Sequence, residues 1–268
     1  MPLKTGPALA LALALALALA GCGGMRRADG RNNQVNTERQ LRALVDVGVV
    51  AIRIGDYARA ILTLQEAERL SPTNADVKHH LGRTYFQLGD AERAVEYYQQ
   101  ALALDPAKTD VHNNLGLLYL NTREYEKARA EFQHCLDDVT YSNSAMSRFN
   151  MGLLEESMGN KDKAKEYYLQ IINAPSQSPV APPAYYRLAF LEYQNGGYQP
   201  AVDLLSVAVR QDPDYADAFF LMGESYEKMN RNDDAAEAFG RCVVIDPSSL
   251  RGVEAQRRVR QIMKDYKR

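Results

Sequence analysis

The feature that most constrains this chain is an internal repeat with a period of 34 residues. Gly48, Gly82 and Gly116 stand 34 positions apart, and the same frame continues to residue 249 with short insertions. The six resulting blocks are 41–74, 75–108, 109–142, 145–178, 182–215 and 216–249. A period of this length is the sequence signature of stacked supersecondary units, none of which can bury its apolar face alone. Most of the chain is therefore expected to fold as a repeat array.

Side-chain size recurs at fixed positions inside the blocks, which are called blocks one to six in chain order. Small residues stand at positions 8, 20 and 27, large residues at positions 11 and 24, and Pro near position 32. Block two shows this pattern most completely, with Gly82, Tyr85, Ala94, Tyr98, Ala101 and Pro106. Block four departs from it because Glu155 replaces the aromatic residue, and block five has Ala189 in place of the first Gly. The pattern resembles the tetratricopeptide repeat (TPR).

The TPR resemblance implies the fold. Each block would form two antiparallel helices, A and B, and the six hairpins would stack into an all-α, right-handed superhelical solenoid. Small residues at positions 8 and 20 let helices A and B approach closely, and the small position 27 lets helix B meet the next helix A. Pro near position 32 ends helix B because the residue before a proline disfavours helical backbone. The TPR domain is predicted to span residues 41–249.

A last helix is predicted over residues 250–268, where it would cap the final hairpin. Apolar side chains recur on one helical face, at Ala255, Val259, Ile262 and Tyr266. The basic side chains are expected mostly to face water, and they are Arg251, Arg257, Arg258, Arg260 and Lys264. A solvated capping helix explains this segment better than a membrane-binding or nucleic-acid-binding helix, because a terminal repeat needs a polar outer surface.

Residues 1–21 have the form of a secretory signal peptide. Lys4 precedes the run Ala8–Ala20, made of Ala and Leu only, which as a helix would span about 20 Å, short of the roughly 30 Å hydrocarbon core. The run ends in Leu19-Ala20-Gly21-Cys22, which resembles the bacterial lipobox. This resemblance implies cleavage between Gly21 and Cys22, and attachment of two or three acyl chains, palmitate among them, at Cys22.

The residues after Cys22 bear on where the chain is anchored. Gly23 and Gly24 stand where Asp would retain an enteric lipoprotein in the inner membrane, so the periplasmic face of the outer membrane is favoured. The inner membrane stays open where that enteric rule does not hold. Residues 22–40 are predicted to be the lipidated N-terminus and a flexible tether, because Gly23–Thr37 is polar and rich in Gly, Asn and Arg.

Composition and motif spacing argue against an enzyme and against a nucleic-acid partner. The formal net charge is -2 and the pI is near 6.1, so no strongly basic surface is expected. Cys135 and Cys242 hold the same packing position three blocks apart, too far for a disulfide, and are expected to be buried small residues. No metal-ligand spacing is found among the histidines, which are His79, His80, His112 and His134. We expect no catalytic residue, no metal, no cofactor apart from the covalent lipid, and no small-molecule substrate.

A candidate partner-binding groove follows from the resemblance, because helix A lines the inner face of TPR arrays. Its residues are Val45, Val49, Ile52, Arg83, Phe86, Asn113, Asn114, Leu117, Leu120, Phe149, Asn150, Leu153, Tyr186, Phe190, Tyr193 and Phe220. Such an apolar and aromatic lining on a surface that water reaches implies a partner. Asn114 and Asn150 share the sixth position of their blocks and are expected to hydrogen-bond an extended peptide. The expected ligand is an amphipathic segment rather than an acidic tail.

Lipobox, tether, six TPR blocks and terminal cap together resemble the pilotins, the outer-membrane lipoproteins of type IV pilus systems. The resemblance implies a non-catalytic assembly factor that binds a secretin monomer and promotes its outer-membrane insertion and multimerisation, and hence pilus biogenesis and twitching motility. Two other roles stay open from the sequence. One is an adaptor that scaffolds peptidoglycan hydrolases, and the other is a subunit of an outer-membrane protein-insertion or polysaccharide-export complex.

Overall fold

The structure is a computed structural model that describes residues 34–174 and 178–265. Within these ranges the chain forms thirteen helices and no strand. The helices are α1 (34–53), α2 (Tyr57–Leu70), α3 (Ala75–Gln87), α4 (Ala91–Leu104), α5 (Thr109–Asn121), α6 (Tyr125–Asp137), α7 (Ser144–Ser157), α8 (Lys161–Ile172), α9 (Ala181–Gln194), α10 (Tyr198–Gln211), α11 (Ala216–Lys228), α12 (Asn232–Ile245) and α13 (Leu250–Asp265). Each block contributes one helix A and one helix B, so the predicted all-α fold of TPR hairpins is confirmed.

The repeat region continues as helix at both ends. Residues 34–40, assigned to the tether by sequence, are the first turns of α1, because helix formers such as Glu38 and Arg39 extend it. At the other end α13 buries Ala255 and Ile262 against α12, as expected for a cap. The lipobox with Cys22 and the capping residue Tyr266 both lie outside the described residues.

The chain divides into two compact units, with the boundary between Val111 and His112. In the first unit α3 packs against both α2 and α4. In the second unit each helix from α6 to α12 packs against the helix that follows it. This sequential packing is what a repeat array requires, because every hairpin relies on its neighbours to cover its apolar surface.

Within a hairpin, position 8 of helix A lies against position 24 of helix B. A Cβ added to Gly82 would lie 2.6 Å from the Tyr98 ring, and one added to Gly223 would lie 2.6 Å from the Phe239 ring. Only glycine lets an aromatic ring approach the helix A backbone this closely. Block five instead places Ala189 in one buried cluster with Leu205, whose side chain is smaller than a ring. The predicted role of position 8 is therefore the one that the structure shows.

The turn between helices A and B uses a left-handed residue at position 15 of every block. The six residues with positive φ among the described residues are Gly55, Gly89, Arg123, Gly159, Gly196 and Asn230. Their φ angles lie between 58° and 82°. Side chains other than glycine are strained there, although Asn tolerates this conformation better than most. Six turns with one geometry show that the repeat frame holds even where the glycine has been replaced.

Within each unit, helix A packs on helix B of the preceding block. The clearest case in the second unit joins α8 to α9, where Ala164, Tyr168 and Ile171 form one buried cluster with Leu188 and Leu191. Leu188 and Leu191 hold positions 7 and 10 of block five. Positions 7 and 10 of helix A are thus the positions that the preceding helix B covers. Cys135 and Cys242 are buried, as predicted.

Candidate functional site

The sixteen predicted groove residues lie on the A helices α1, α3, α5, α7, α9 and α11. None of them is exposed, and most are half-buried. Those that are fully buried are Ile52, Asn113, Asn150, Tyr186 and Phe220. The apolar members are therefore partly covered by neighbouring residues. The part of the lining that a partner can reach differs between the two units.

In the first unit a concave site lies along α1 and the start of α3, and we call it the α1–α3 groove. Its volume is about 410 Å³, and its lining residues are Glu38, Leu41, Arg42, Val45, Asp46, Asn74, Asp76 and His80. Val45 is the single predicted groove residue among them. Val49, Arg83 and Phe86 are half-buried elsewhere on the two helices. The lining is more polar than the sequence indicated, because α1 is polar before Leu41 and continues further than expected.

Electrostatics in the α1–α3 groove keep its histidine neutral. Burial, together with the nearby Arg83, lowers the pKa of His80 to about 4 and that of the stacked His79 to about 3. His80 Nδ1 is buried and has no hydrogen-bond partner among the described residues. The Asp76 carboxylate accepts from Lys108 Nζ at 2.5 Å, and this hydrogen bond holds its pKa below the usual range. The groove thus offers a neutral imidazole beside the ionised Asp76 carboxylate.

Two predicted groove residues of the second unit, Asn113 and Asn150, form a hydrogen bond with each other. Asn150 Nδ2 donates to Asn113 Oδ1 at 2.9 Å, and Ser147 Oγ lies 3.5 Å from the same oxygen. The expectation that Asn150 would hydrogen-bond a peptide is wrong, because the side chain is 3% exposed and its amide is already used. Asn114 at the equivalent position is half-buried. The surrounding predicted residues are also half-buried, and they are Leu117, Leu120, Phe149 and Leu153.

Further along the second unit, α13 covers part of the predicted aromatic surface. Arg251 Nη1 donates to Tyr186 Oη at 3.2 Å, and its guanidinium lies 5.5 Å from the Phe220 ring centre. The same side chain pairs with Asp217 at 3.2 Å. Arg251 was expected to face water, and nothing in the repeat pattern indicated its role, because that pattern stops where α13 begins. Phe190, whose ring stacks on Tyr186 at 6.5 Å, stays half-buried.

The histidines of the second unit contact neighbouring side chains. His112 Nδ1 lies 2.6 Å from Glu131 Oε2, and its ring stacks on that of His134. Among residues 34–174 and 178–265, no cluster of three or more His, Cys, Asp or Glu side chains could hold a metal ion. None of the helices in these same ranges combines the length and apolar character that crossing a membrane requires.

The architecture defines a class, an array of helical hairpins of the kind that typically mediates protein–protein interactions. Models of the tetratricopeptide repeat match residues 51–97, 82–122, 109–137, 149–216 and 217–249. These matches extend through most of the described chain, and the chain belongs to the tetratricopeptide-repeat proteins. Among curated proteins, none matches this sequence.

Several solved structures share this fold. PilF of Pseudomonas aeruginosa is 23% identical, with a TM-score of 0.68, and the match covers 82% of this chain and 98% of PilF. PilW, a widely conserved type IV pilus biogenesis factor, is 21% identical with a TM-score of 0.69, and the match covers 81% of this chain and 98% of PilW. Yeast Tom70 is 16% identical with a TM-score of 0.70, and 85% of this chain matches 47% of Tom70.

Proposed function

We propose that this chain is a lipid-anchored, non-enzymatic assembly factor of the pilotin kind. Cys22 would hold it at the periplasmic face of the outer membrane, where it binds a secretin monomer. It would shield an amphipathic segment of that monomer and promote its insertion and multimerisation. Pilus assembly, and with it twitching motility, would then depend on this chain.

The observation that carries the proposal is the extent of the likeness to two proteins of similar size. The matches cover 98% of PilF and 98% of PilW, whereas the match to Tom70 covers 47% of that longer protein. A lipobox that ends at Cys22 adds to this, because a pilotin must be anchored where the secretin inserts.

The α1–α3 groove fits the partner chemistry that the proposal requires. Leu41 and Val45 offer apolar contacts, and Glu38 and Asp46 offer negative charge on the same lining. An acidic tail would be repelled there, since Arg42 is the sole cationic side chain among the lining residues. A segment with one apolar side and one basic side would satisfy both parts of the lining.

A deletion strain tests the proposal most directly. Heat-resistant secretin multimers, seen by gel, should be lost on deletion and restored by the wild-type chain. Cys22→Ala should not restore them and should leave the protein in the soluble periplasmic fraction. Val45→Glu should restore them poorly although the protein stays anchored. The matched control is Val244→Glu, because Val244 is 74% exposed on α12 and lies far along the sequence from the groove.

Other outcomes separate the alternative roles. Secretin multimers that persist in the deletion strain would contradict a pilotin. If cross-linking of the anchored chain then captured cell-wall hydrolases, the adaptor role would replace it. Normal pili combined with lost polysaccharide or with misassembled outer-membrane proteins would instead indicate a subunit of an export or insertion complex.

A further inference from the structure

Block one carries an apolar surface that no described residue covers. Val47, Val50 and Ile54 of α1 are 40%, 51% and 68% exposed, and Leu62 of the adjacent α2 is 70% exposed. We call these four residues the end face. Beside them a slot of about 240 Å³ opens, and its lining residues are Asp46, Val47, Val50, Ala51, Ile54 and Arg59.

The repeat itself shows what kind of element fills such a slot. Val47 and Val50 hold positions 7 and 10 of block one. The same positions in block five are Leu188 and Leu191, which are 2% and 4% exposed because α8, the preceding helix B, packs on them. Block one keeps apolar residues at these positions, yet no described helix precedes α1. The slot is therefore built to accept a helix B that comes from elsewhere.

Helix α2 carries a matching apolar residue on its own outer side. Leu62 stands at position 22, and the other blocks have Glu96, Ala130, Glu166, Asp203 and Glu237 there, all of them exposed. Arg59 lines the slot and lies three residues before Leu62, so the two share one face of α2 next to the slot. One surface thus presents an open helix A slot and, beside it, an exposed apolar residue of helix B.

We propose that the end face binds a second copy of this chain. In a two-fold arrangement, α2 of each copy packs into the slot of the other, and Leu62 enters between Val47, Val50 and Ile54. Self-complementarity of this kind is what an isologous interface requires. Asp46 and Arg59 both line the slot, so the two-fold axis would place Arg59 of one copy beside Asp46 of the other.

Other occupants fit the observations less well. Residues 23–33 contain only Met25 and Ala28 as apolar side chains, too few to supply the missing helix face. A bilayer surface would favour basic residues alone, whereas Asp46 lines the slot and Glu66 follows Leu62 by one turn. If the lipid anchor of the proposed function is present, copies in one membrane meet at high local concentration, so a weak dimer suffices.

Sedimentation equilibrium of the chain from Gly23 onward tests the proposal, because this chain keeps every described residue. We expect a dimer with a Kd on the order of 100 µM, since the apolar patch is small. Val50→Glu and Leu62→Glu should each weaken it about tenfold or more, because each places a carboxylate in the apolar contact. Val244→Glu, which changes a side chain on α12 that is 74% exposed, should leave it unchanged. Circular dichroism checks that each variant is folded.

A charge exchange distinguishes a second copy from every other occupant. Asp46→Arg and Arg59→Asp should each weaken self-association about threefold or more, because each homodimer then places like charges together. An equimolar mixture of the two variants should recover the dimer, because both contacts become attractive again.

A chain that is monomeric at all concentrations, or a mixture that dimerises no better than its components, overturns the proposal. So does a monomer that cosediments with anionic vesicles. Secretin multimers are scored separately, so this result does not decide the proposed function.

Discussion

Blocks two and four place a tyrosine in the same position and surround it differently. Tyr98 and Tyr168 both hold position 24, both are 0% exposed, and each packs against the glycine at position 8 of its hairpin. Tyr168 Oη donates to Glu156 Oε1 at 2.8 Å, and Arg187 Nε donates to the same oxygen at 3.0 Å. Tyr98 Oη is buried and has no hydrogen-bond partner among the described residues.

The cause of the difference lies at neighbouring repeat positions. Glu156 holds position 12 of block four, and Phe86 holds that position in block two, so Tyr98 has no equivalent carboxylate. Position 5 differs as well. In block two it is His79, whose ring centre lies 6.1 Å from that of Tyr98, and in block four it is Phe149, whose ring centre lies 5.6 Å from that of Tyr168. A repeat frame therefore fixes which side chain fills the hairpin, while the polar groups around it are specific to each block.

The largest expected effect is a loss of stability in acid that comes from block two. Burial lowers the folded-state pKa of His79 to about 3 and of His80 to about 4, so the unfolded chain binds more protons below pH 6.5. Stability should fall as the pH drops from 6.5, by up to about 2 kcal/mol for each histidine at pH 5. The Asp76 carboxylate beside them stays ionised in this window, because Lys108 lowers its pKa.

Exchanging residues between the blocks provides the measurement. The double variant His79→Phe with His80→Asn gives block two the residues Phe149 and Asn150 of block four. Urea unfolding at pH 7 and pH 5 should show a smaller loss of stability for the variant than for the wild type. An equal loss in both chains would mean that these histidines are protonated as easily in the folded state as in the unfolded state.

A methyl group between helices A and B gives the next largest effect. In Gly82→Ala the new Cβ would lie 2.6 Å from the Tyr98 ring, so we expect a loss of about 2–3 kcal/mol by urea unfolding. Tyr98→Leu in the same chain imitates Ala189 and Leu205 of block five. The two changes together should cost less than the sum of the single changes. Strict additivity would show that the ring and the glycine do not constrain each other.

Tyr168→Phe should lower the stability of the protein more than Tyr98→Phe does. The variant keeps the ring in its slot but removes the hydroxyl that donates to Glu156, leaving part of that carboxylate unsatisfied. We expect a loss of about 1–2 kcal/mol, because hydrogen bonds to charged groups are stronger than neutral ones. A double-mutant cycle with Glu156→Gln measures the coupling between the hydroxyl and the carboxylate, because Glu156→Gln alone also breaks the ion pair with Arg187. No change on Tyr168→Phe would indicate that Arg187 alone satisfies the carboxylate.

Much of this fold could be predicted from the sequence, because the same pattern of small and large residues recurs in six blocks. Positions 8 and 24 and the buried cysteines follow from local size and spacing, whereas the left-handed turns at Arg123 and Asn230 do not. The polar contacts could not be predicted, because they depend on how separate helices align. Glu155 was recognised as a departure from the aromatic pattern, but its ion pair with Arg129 of α6 and its hydrogen bond from Asn160 were not. The hydrogen bond from Arg251 of α13 to Tyr186 on the predicted aromatic surface was not predicted either.

The smallest effect is expected where the comparison is most direct, at Tyr98→Phe. Blocks three and six already have Phe132 and Phe239 at this position, fully buried against the same helix A glycine. Removing a buried hydroxyl that has no partner should leave stability within about 0.5 kcal/mol or raise it slightly. Urea unfolding of this variant beside Tyr168→Phe measures the difference between the blocks directly. A loss of stability as large as that of Tyr168→Phe would show that Tyr98 Oη has a hydrogen-bond partner. The surroundings of the two tyrosines would then differ less than the neighbouring side chains indicate.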